Sequence, residues 1–331
     1  MKFWLRAALA ATAATALAAT LAGCSAPKPE PTNAAFVPHI AVILGTESPS
    51  YAATLKAAAE SAAKEFGAIL EWHDETLNGT AAQQNQLLNK LAAKQVEGYI
   101  LMPIDDSVQP YNDLAASTKA DVVNLDSHVP TLDKVFANIF DDSNTGGIKL
   151  ADAIANSIGY KKGGSYEIAL GVVNPDDQVT KVRLAGFNYE IDAKYPGIKV
   201  VATAISHNKP GKAATQVASV FAKNPKLAGF VAMDSFTATA AAALVQQQNL
   251  RVPLVAYDAE PDHVALLKKG IFTDLISQNP GQKIRLAIQL IAAHQLTGAL
   301  PQMRDQMFES VIIDGSSSKA DLKKYTYLPA N

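Results

Sequence analysis

From Ile40 onward the chain alternates between short apolar runs of β type and amphipathic stretches of helical length. Ile40-Ala41-Val42-Ile43-Leu44 is a near-continuous apolar run, as expected of a strand covered on both faces. After a turn from Gly45 to Pro49, Tyr51, Leu55, Ala58, Ala62 and Phe66 recur at helical spacing, and Gly67 ends the helix. Further strands are predicted at Ala68 to Trp72, Gly98 to Met102, Asp121 to Asp126 and Val135 to Phe140, with helices spanning about Thr80 to Lys94 and Val108 to Ser117. The rhythm then starts again, with strands at Ser165 to Gly171, Lys199 to Ile205, Ala228 to Met233, Val252 to Tyr257 and Phe272 to Ser277. Such alternation folds into a parallel sheet flanked by helices, and two runs of it predict an α/β protein of two doubly wound lobes.

The first residues follow a different pattern. Lys2 and Arg6 precede an uncharged Ala/Leu/Thr run from Ala7 to Leu21, the pattern of a secretory signal and too short for a spanning helix. It ends Leu21-Ala22-Gly23-Cys24, which resembles a bacterial lipobox and uses the only cysteine in the chain. Cys24 is therefore the predicted lipidation site, with residues 1–23 removed and diacyl chains holding the protein at a membrane. An ordinary signal followed by a chance cysteine is the alternative. Prolines at 27, 29, 31 and 38 keep residues 24–38 extended, as a tether.

Composition narrows the function. With 331 residues, 48% of them hydrophobic, the chain can bury a large core without disulfides. Its 29 basic against 31 acidic residues lack the excess that binding a phosphate backbone requires, so nucleic acid is not an expected partner. There is no G-x-S-x-G elbow, H-E-x-x-H, G-x-G-x-x-G or complete Walker loop, and the histidines at 39, 73, 128, 207, 263 and 294 have no metal-ligand spacing. No enzyme, cofactor or metal is predicted.

In doubly wound sheets ligands bind beyond the carboxyl ends of the strands. The polar residues there are Glu47 and Ser48, Asp105, Asp126 and Ser127, then Asp234, Asp258 and Gln278, with Arg183 in the helix that follows Gly171. A carboxylate accepts and a guanidinium donates two hydrogen bonds side by side, the grip that vicinal hydroxyls need. Several acids with one arginine disfavour an anion, so the ligand should be neutral or cationic. Any one of these acids and serines could instead cap the next helix.

Across residues 39–300 the sequence resembles the periplasmic sugar-binding proteins of the ribose-binding type that serve ABC transporters. Gln95-Val-Glu-Gly-Tyr-Ile-Leu-Met-Pro-Ile-Asp105 is similar to their Gly-Val-Asp-Gly-Ile-x-x-x-Pro-x-Asp segment, and Asp142-Ser-Asn-Thr-Gly-Gly147 to their Asp-Asn-x-x-Gly-Gly crossover. Arg183-Leu-Ala-Gly-Phe187 matches Arg-x-x-Gly-Phe, Val255-Ala-Tyr-Asp-Ala-Glu-Pro-Asp262 resembles Val-x-Gly-Phe-Asp-Gly-x-Pro-Asp, and Gln278-Asn-Pro280 matches Gln-x-Pro. The resemblance implies the type I periplasmic binding protein fold: two Rossmann-like lobes with parallel sheets, joined by three hinge crossovers near residues 141, 279 and 306. The N-terminal lobe would comprise 39–141 plus 279–306, and the C-terminal lobe 142–278 plus 307–331.

The same resemblance puts Asp126, Arg183, Asp258 and Gln278 on sugar-contacting positions. Ser48, Ser50 and Tyr51 replace the polar and aromatic residues of the first loop, and His207 falls near a position that stacks an aromatic on the sugar. Tyr51 could equally be core packing. Met102 and Met233 stand where ribose-type members carry asparagines, and Ser127 where many carry an arginine, which implies a ligand with fewer hydroxyls or an apolar edge. Asp126, Asp234 and Asp258 would accept from hydroxyls, Arg183 and Gln278 would donate, and Tyr51 or His207 would cover an apolar face. The expected protein is a monomeric, exported lipoprotein that delivers a monosaccharide, deoxysugar or polyol to an ABC permease. A receptor subunit of a chemotaxis or kinase system, or a binder of a nucleoside, furanosyl signal or cation, is the alternative.

Overall fold

The computed structural model describes residues 36–45, 47–77, 79–94, 96–104, 113–114, 118–126 and 135–330. The predicted signal, Cys24 and most of the tether lie outside the described residues, as do Asp105, Ser127 and most of the helix predicted over 108–117.

In chain order the first elements are β1 (His39–Ile43), α1 (Pro49–Phe66), β2 (Ile69–His73), α2 (Ala81–Ala92), β3 (Gly98–Leu101), β4 (Asp121–Asp126) and β5 (Ala137–Asp141). Then come α3 (Ser143–Ser157), β6 (Tyr166–Val172), α4 (Gln178–Lys194), β7 (Ile198–Ile205), α5 (Pro210–Lys223), β8 (Gly229–Ala232), α6 (Ser235–Gln247) and β9 (Leu254–Tyr257). The chain continues through α7 (Pro261–Leu267), β10 (Phe272–Ser277), α8 (Pro280–Thr297), β11 (Asp305–Phe308), β12 (Val311–Asp314) and α9 (Lys319–Tyr325). The helix boundaries have local causes. Ser48 caps α1 by accepting from the Tyr51 amide, Gly67 ends it at φ 68°, and Thr80 and Gln83 form a reciprocal capping box on α2.

The strands form two six-stranded sheets, in the orders β11-β5-β4-β3-β1-β2 and β12-β10-β9-β8-β6-β7. All neighbours are parallel except β12, which runs antiparallel to β10. The two lobes thus repeat one plan, in which β4 of the first occupies the place of β9 in the second. Central strands are buried throughout, as parallel strands between helix layers must be.

The chain passes between lobes three times: at Asp141–Asp142 after β5, at Gln278–Asn279 after β10, and between β11 and β12. The second passage sends α8 back to cover the first sheet beside α1. The third falls later than the expected 306, because β11 still pairs with β5 through Phe308 opposite Asp141. Neither β11, β12 nor α9 is foreshadowed by the apolar pattern. The two strands are only four residues long and lie at sheet edges, and β11 alternates exposed with partly covered positions, which leaves little apolar signal.

Candidate functional site

The carboxyl ends of both sheets face one cavity. The first lobe contributes Glu47 and Ser48 after β1, Pro103 and Ile104 after β3, and Asp126 at the end of β4. The second contributes Val173 after β6, Asp177, Val179, Thr180 and Arg183 around the start of α4, Asn208 after β7, Asp234, Ser235 and Phe236 after β8, Asp258 after β9 and Gln278 after β10. Asp126 and Asp258 are counterparts across the cavity, and both have left-handed backbones, at φ 81° and 74°. Aspartate tolerates that region better than most residues, and the strain of about 1–3 kcal/mol is of the kind that binding sites store.

On the second-lobe side Asp258 is held by neutral groups. Gln278 Nε2 donates to its Oδ1 at 2.6 Å and the Tyr327 hydroxyl donates to the same oxygen at 3.2 Å, while Tyr327 also accepts from the Gln278 amide at 3.1 Å. Arg183 donates from Nη1 to the Met233 carbonyl at 2.8 Å and from Nη2 to Gln278 Oε1 at 3.0 Å, and its guanidinium lies 3.7 Å over the Tyr257 ring. Burial works against the charge of Arg183, but Tyr257, Asp258, Asp141 and Asp126 outweigh it and push its pKa up. Arg183 Nε is buried without a hydrogen-bond partner. Backbone contact fixes where this arginine stands. A Cβ at Gly147 would sit 2.0 Å from the Arg183 carbonyl oxygen, and one at Gly186 2.0 Å from that of Asn144, so α3 and α4 touch main chain to main chain.

On the first-lobe side the groups are charged. Lys283 of α8, fully buried, donates to Asp126 Oδ1 and Asp141 Oδ2, and to the Tyr51 hydroxyl at 2.8 Å; that hydroxyl in turn donates to Asp126 Oδ1. Burial opposes ionisation of Asp126, but Lys283 together with hydrogen bonds from Tyr51 and Glu47 overcomes it and holds the carboxyl below its ordinary range. Burial, then repulsion from Asp126 and Asp258, pushes Glu47 well up, so it is the protonated partner that donates to Asp126. Burial raises Asp141 to about 7. Between the lobes, Ser48 Oγ donates to Glu260 Oε1, and Leu328 N donates to Thr54 Oγ1 at 2.7 Å. Glu260 is raised to about 7 by burial and then by Asp258.

The family profile described as "Periplasmic binding protein domain" matches residues 40–299. The chain belongs to this family. A solute-binding protein of an ABC transporter from Agrobacterium vitis, solved with α-D-tagatopyranose, is similar with a TM-score of 0.79 and 27% identity, over 88% of this chain and 99% of that one. A carbohydrate-transporter solute-binding protein from Agrobacterium radiobacter, in complex with D-arabinose, gives 0.78 and 19% over 88% and 99%. One from Actinobacillus succinogenes with bound D-allose gives 0.73 and 22% over 87% and 100%. The last two, more distant in sequence, show the shared fold alone. No curated protein matches the sequence. Among the described residues no helix is long and apolar enough to cross a membrane.

Within this periplasmic binding protein, Ser48, Asp126, Arg183, Asp234, Asp258 and Gln278 line the cavity. Asp234 does so as a helix cap: its Oδ1 accepts from the Phe236 and Thr237 amides at 3.0 Å and its Oδ2 from the Thr237 hydroxyl at 2.6 Å. Tyr51 is 1% exposed and lies behind Asp126, so it supports that carboxylate and does not cover a ligand face. Ser50 faces an outer groove with Glu260, Pro261 and Pro329. His207 is exposed at φ 48°, and Asn208 takes the place in the cavity wall that was expected of it. Met102 and Met233, 2% and 1% exposed, belong to the core; the Met102 carbonyl accepts from Gln84 behind the cavity, and the Met233 carbonyl meets the site by accepting from Arg183. The apolar wall comes from Pro103, Ile104, Val173, Val179 and Phe236 instead.

Sequence reasoning missed Lys283, Glu260, Phe236 and Asn208. A signal for Lys283 exists. It stands four residues before Ala287 and eight before Ile291, on the buried stripe of α8, where a charge needs a partner. Phe236 sits two residues beyond Asp234, at the strand end already singled out.

Proposed function

We propose that this protein is an extracytoplasmic solute-binding protein that captures a small neutral monosaccharide between its lobes and presents it to an ABC permease, making and breaking no bond. The observation that carries this reading is the convergence of Asp126 and Asp258, from matching strand ends of opposite lobes, with Arg183 and Gln278 on one cavity. Those groups supply paired acceptors and donors for vicinal hydroxyls, and Phe236 supplies a ring for an apolar sugar face. The sugars named for the similar structures agree with this chemistry. Cys24 would carry the lipid anchor, residues 24–38 the tether, and the three passages the hinge about which 39–141 plus 279–308 closes on the remainder.

A thermal-shift screen against D-tagatose, D-arabinose, D-fucose, D-allose, polyols, nucleosides and small cations tests it. A monosaccharide at about 100 times its Kd should stabilise the fold by about 2.7 kcal/mol. If every sugar and polyol fails while a nucleoside or cation succeeds, the ligand class is wrong.

A further inference from the structure

A buried ammonium is costly, and replacing a buried ion pair with apolar side chains is often neutral or stabilising. Lys283 therefore calls for a reason beyond packing. It is the only charged residue on the buried stripe of α8, and three donors meet three acceptors: Asp126, Asp141 and the Tyr51 hydroxyl. Neither Lys283 nor Tyr51 lines the cavity, whereas Asp126 does. Both bond the same oxygen of Asp126, Oδ1, from behind the cavity wall. Of the other neighbours, protonated Glu47 adds one hydrogen bond to Asp126, Asp258 is a like charge, and Arg183 reaches toward it from α4, whereas Lys283 is the cation that bonds it directly. Without Lys283 the cheapest state of this corner is a protonated Asp126, which loses the charge-assisted bonds that make a carboxylate a strong acceptor.

We propose that Lys283 is a positioning residue for ligand capture: it keeps Asp126 ionised and aimed at the ligand hydroxyls, and through Asp141 fastens that acceptor to the first two passages between the lobes. The inference rests on the reading of Asp126 as a ligand contact. It also makes α8, whose lysine sits five residues beyond Gln278, part of the binding apparatus.

The test compares the wild type with Lys283→Met, Asp126→Asn and their combination, using carboxyl NMR titration without ligand and calorimetry with D-tagatose, D-arabinose and D-fucose. Asp126 of the wild type should stay ionised down to pH 5, and Lys283→Met should move its titration upward. Affinity should fall by about tenfold or more at pH 6 in Lys283→Met and recover toward pH 9, with the wild type flat over that range. In the Asp126→Asn background Lys283→Met should change affinity by less than about twofold. An equal loss at both pH values and in both backgrounds would make Lys283 merely structural and overturn the proposal, as would a wild-type Asp126 that protonates above pH 5. If Lys283→Met does not fold, Lys283→Met with Asp141→Asn removes one buried acid with the cation and should show the same pH-dependent loss. A wild type that binds none of the three sugars refutes the sugar reading, and the ligand-free titration still decides what Lys283 does to Asp126.

Discussion

The two lobes present the same aspartate in two ways. Asp126 and Asp258 end equivalent strands, share a left-handed backbone and face one cavity, yet Asp126 rests on a buried lysine shared with Asp141, and Asp258 on an amide and a phenol. A repeated fold fixes where an acceptor stands, while the elements behind it decide how its charge is supported. In the second lobe that support comes from Gln278 at a passage between lobes and from Tyr327 in the C-terminal segment. In the first it comes from a helix that follows the last parallel strand of the second lobe.

The sharpest way to break this comparison is to truncate each aspartate in turn. Asp126→Ala leaves Lys283 with Asp141 as its one charged partner beside the Tyr51 hydroxyl and should cost about 3 kcal/mol in urea unfolding, the range for a broken buried pair. Asp258→Ala leaves only neutral partners and should cost about 1 kcal/mol, while sugar affinity falls by at least about tenfold in both. Equal stability losses would erase the distinction between charged and neutral support.

A smaller effect should come from Glu260, whose carboxyl is raised by burial and by Asp258 against the opposing Ser48 hydrogen bond. Glu260 is raised from 4.5 to about 7, so the folded state holds its proton more tightly than the unfolded chain does. The stability this gives is complete below pH 4.5 and is lost as pH rises through 7. The melting temperature should therefore decline between pH 5 and pH 8, and Glu260→Gln should flatten that decline, leaving the part due to Asp141, which titrates in the same direction. An unchanged slope in Glu260→Gln would remove Glu260 from the account. The smallest change expected is in Tyr327→Phe, which loses two hydrogen bonds on the neutral side: about 1 kcal/mol of stability and less than about threefold in affinity. A larger affinity loss would mean that the C-terminal segment is as important to Asp258 as Lys283 is to Asp126.

Much of this was legible in the chain. The strands Asp121–Asp126 and Phe272–Ser277 have the boundaries that alternation alone predicts, and the strand-end rule found Asp126, Asp258, Gln278 and the neighbouring Arg183. The misreadings share a cause. Met102, Met233, Tyr51 and His207 stand at the right places along the backbone, but periodicity does not say to which side of a strand end a side chain turns. At Met102 and Met233 the side chain belongs to the core, and only the Met233 carbonyl touches a site residue, Arg183. At His207 the left-handed backbone sends the ring out and brings Asn208 in. Lys283 was hidden for another reason, since its partners are 157 and 142 residues away in sequence.

That separation has a consequence for how the molecule is made. When β4 has been made, the lysine that bonds its aspartate is still 157 residues from being added, a wait of roughly 8 to 30 seconds at ~5–20 residues per second. Over that interval the first sheet also lacks β11 and the cover of α8, both encoded after the last parallel strand of the second lobe. The lobe begun first is completed only after all the parallel strands of the other have been made, and its contacts of long sequence separation are of the slow-forming kind. The first lobe's sheet is therefore closed by segments made after most of the second lobe, so α8 and β11 tie the completion of the one lobe to the synthesis of the other.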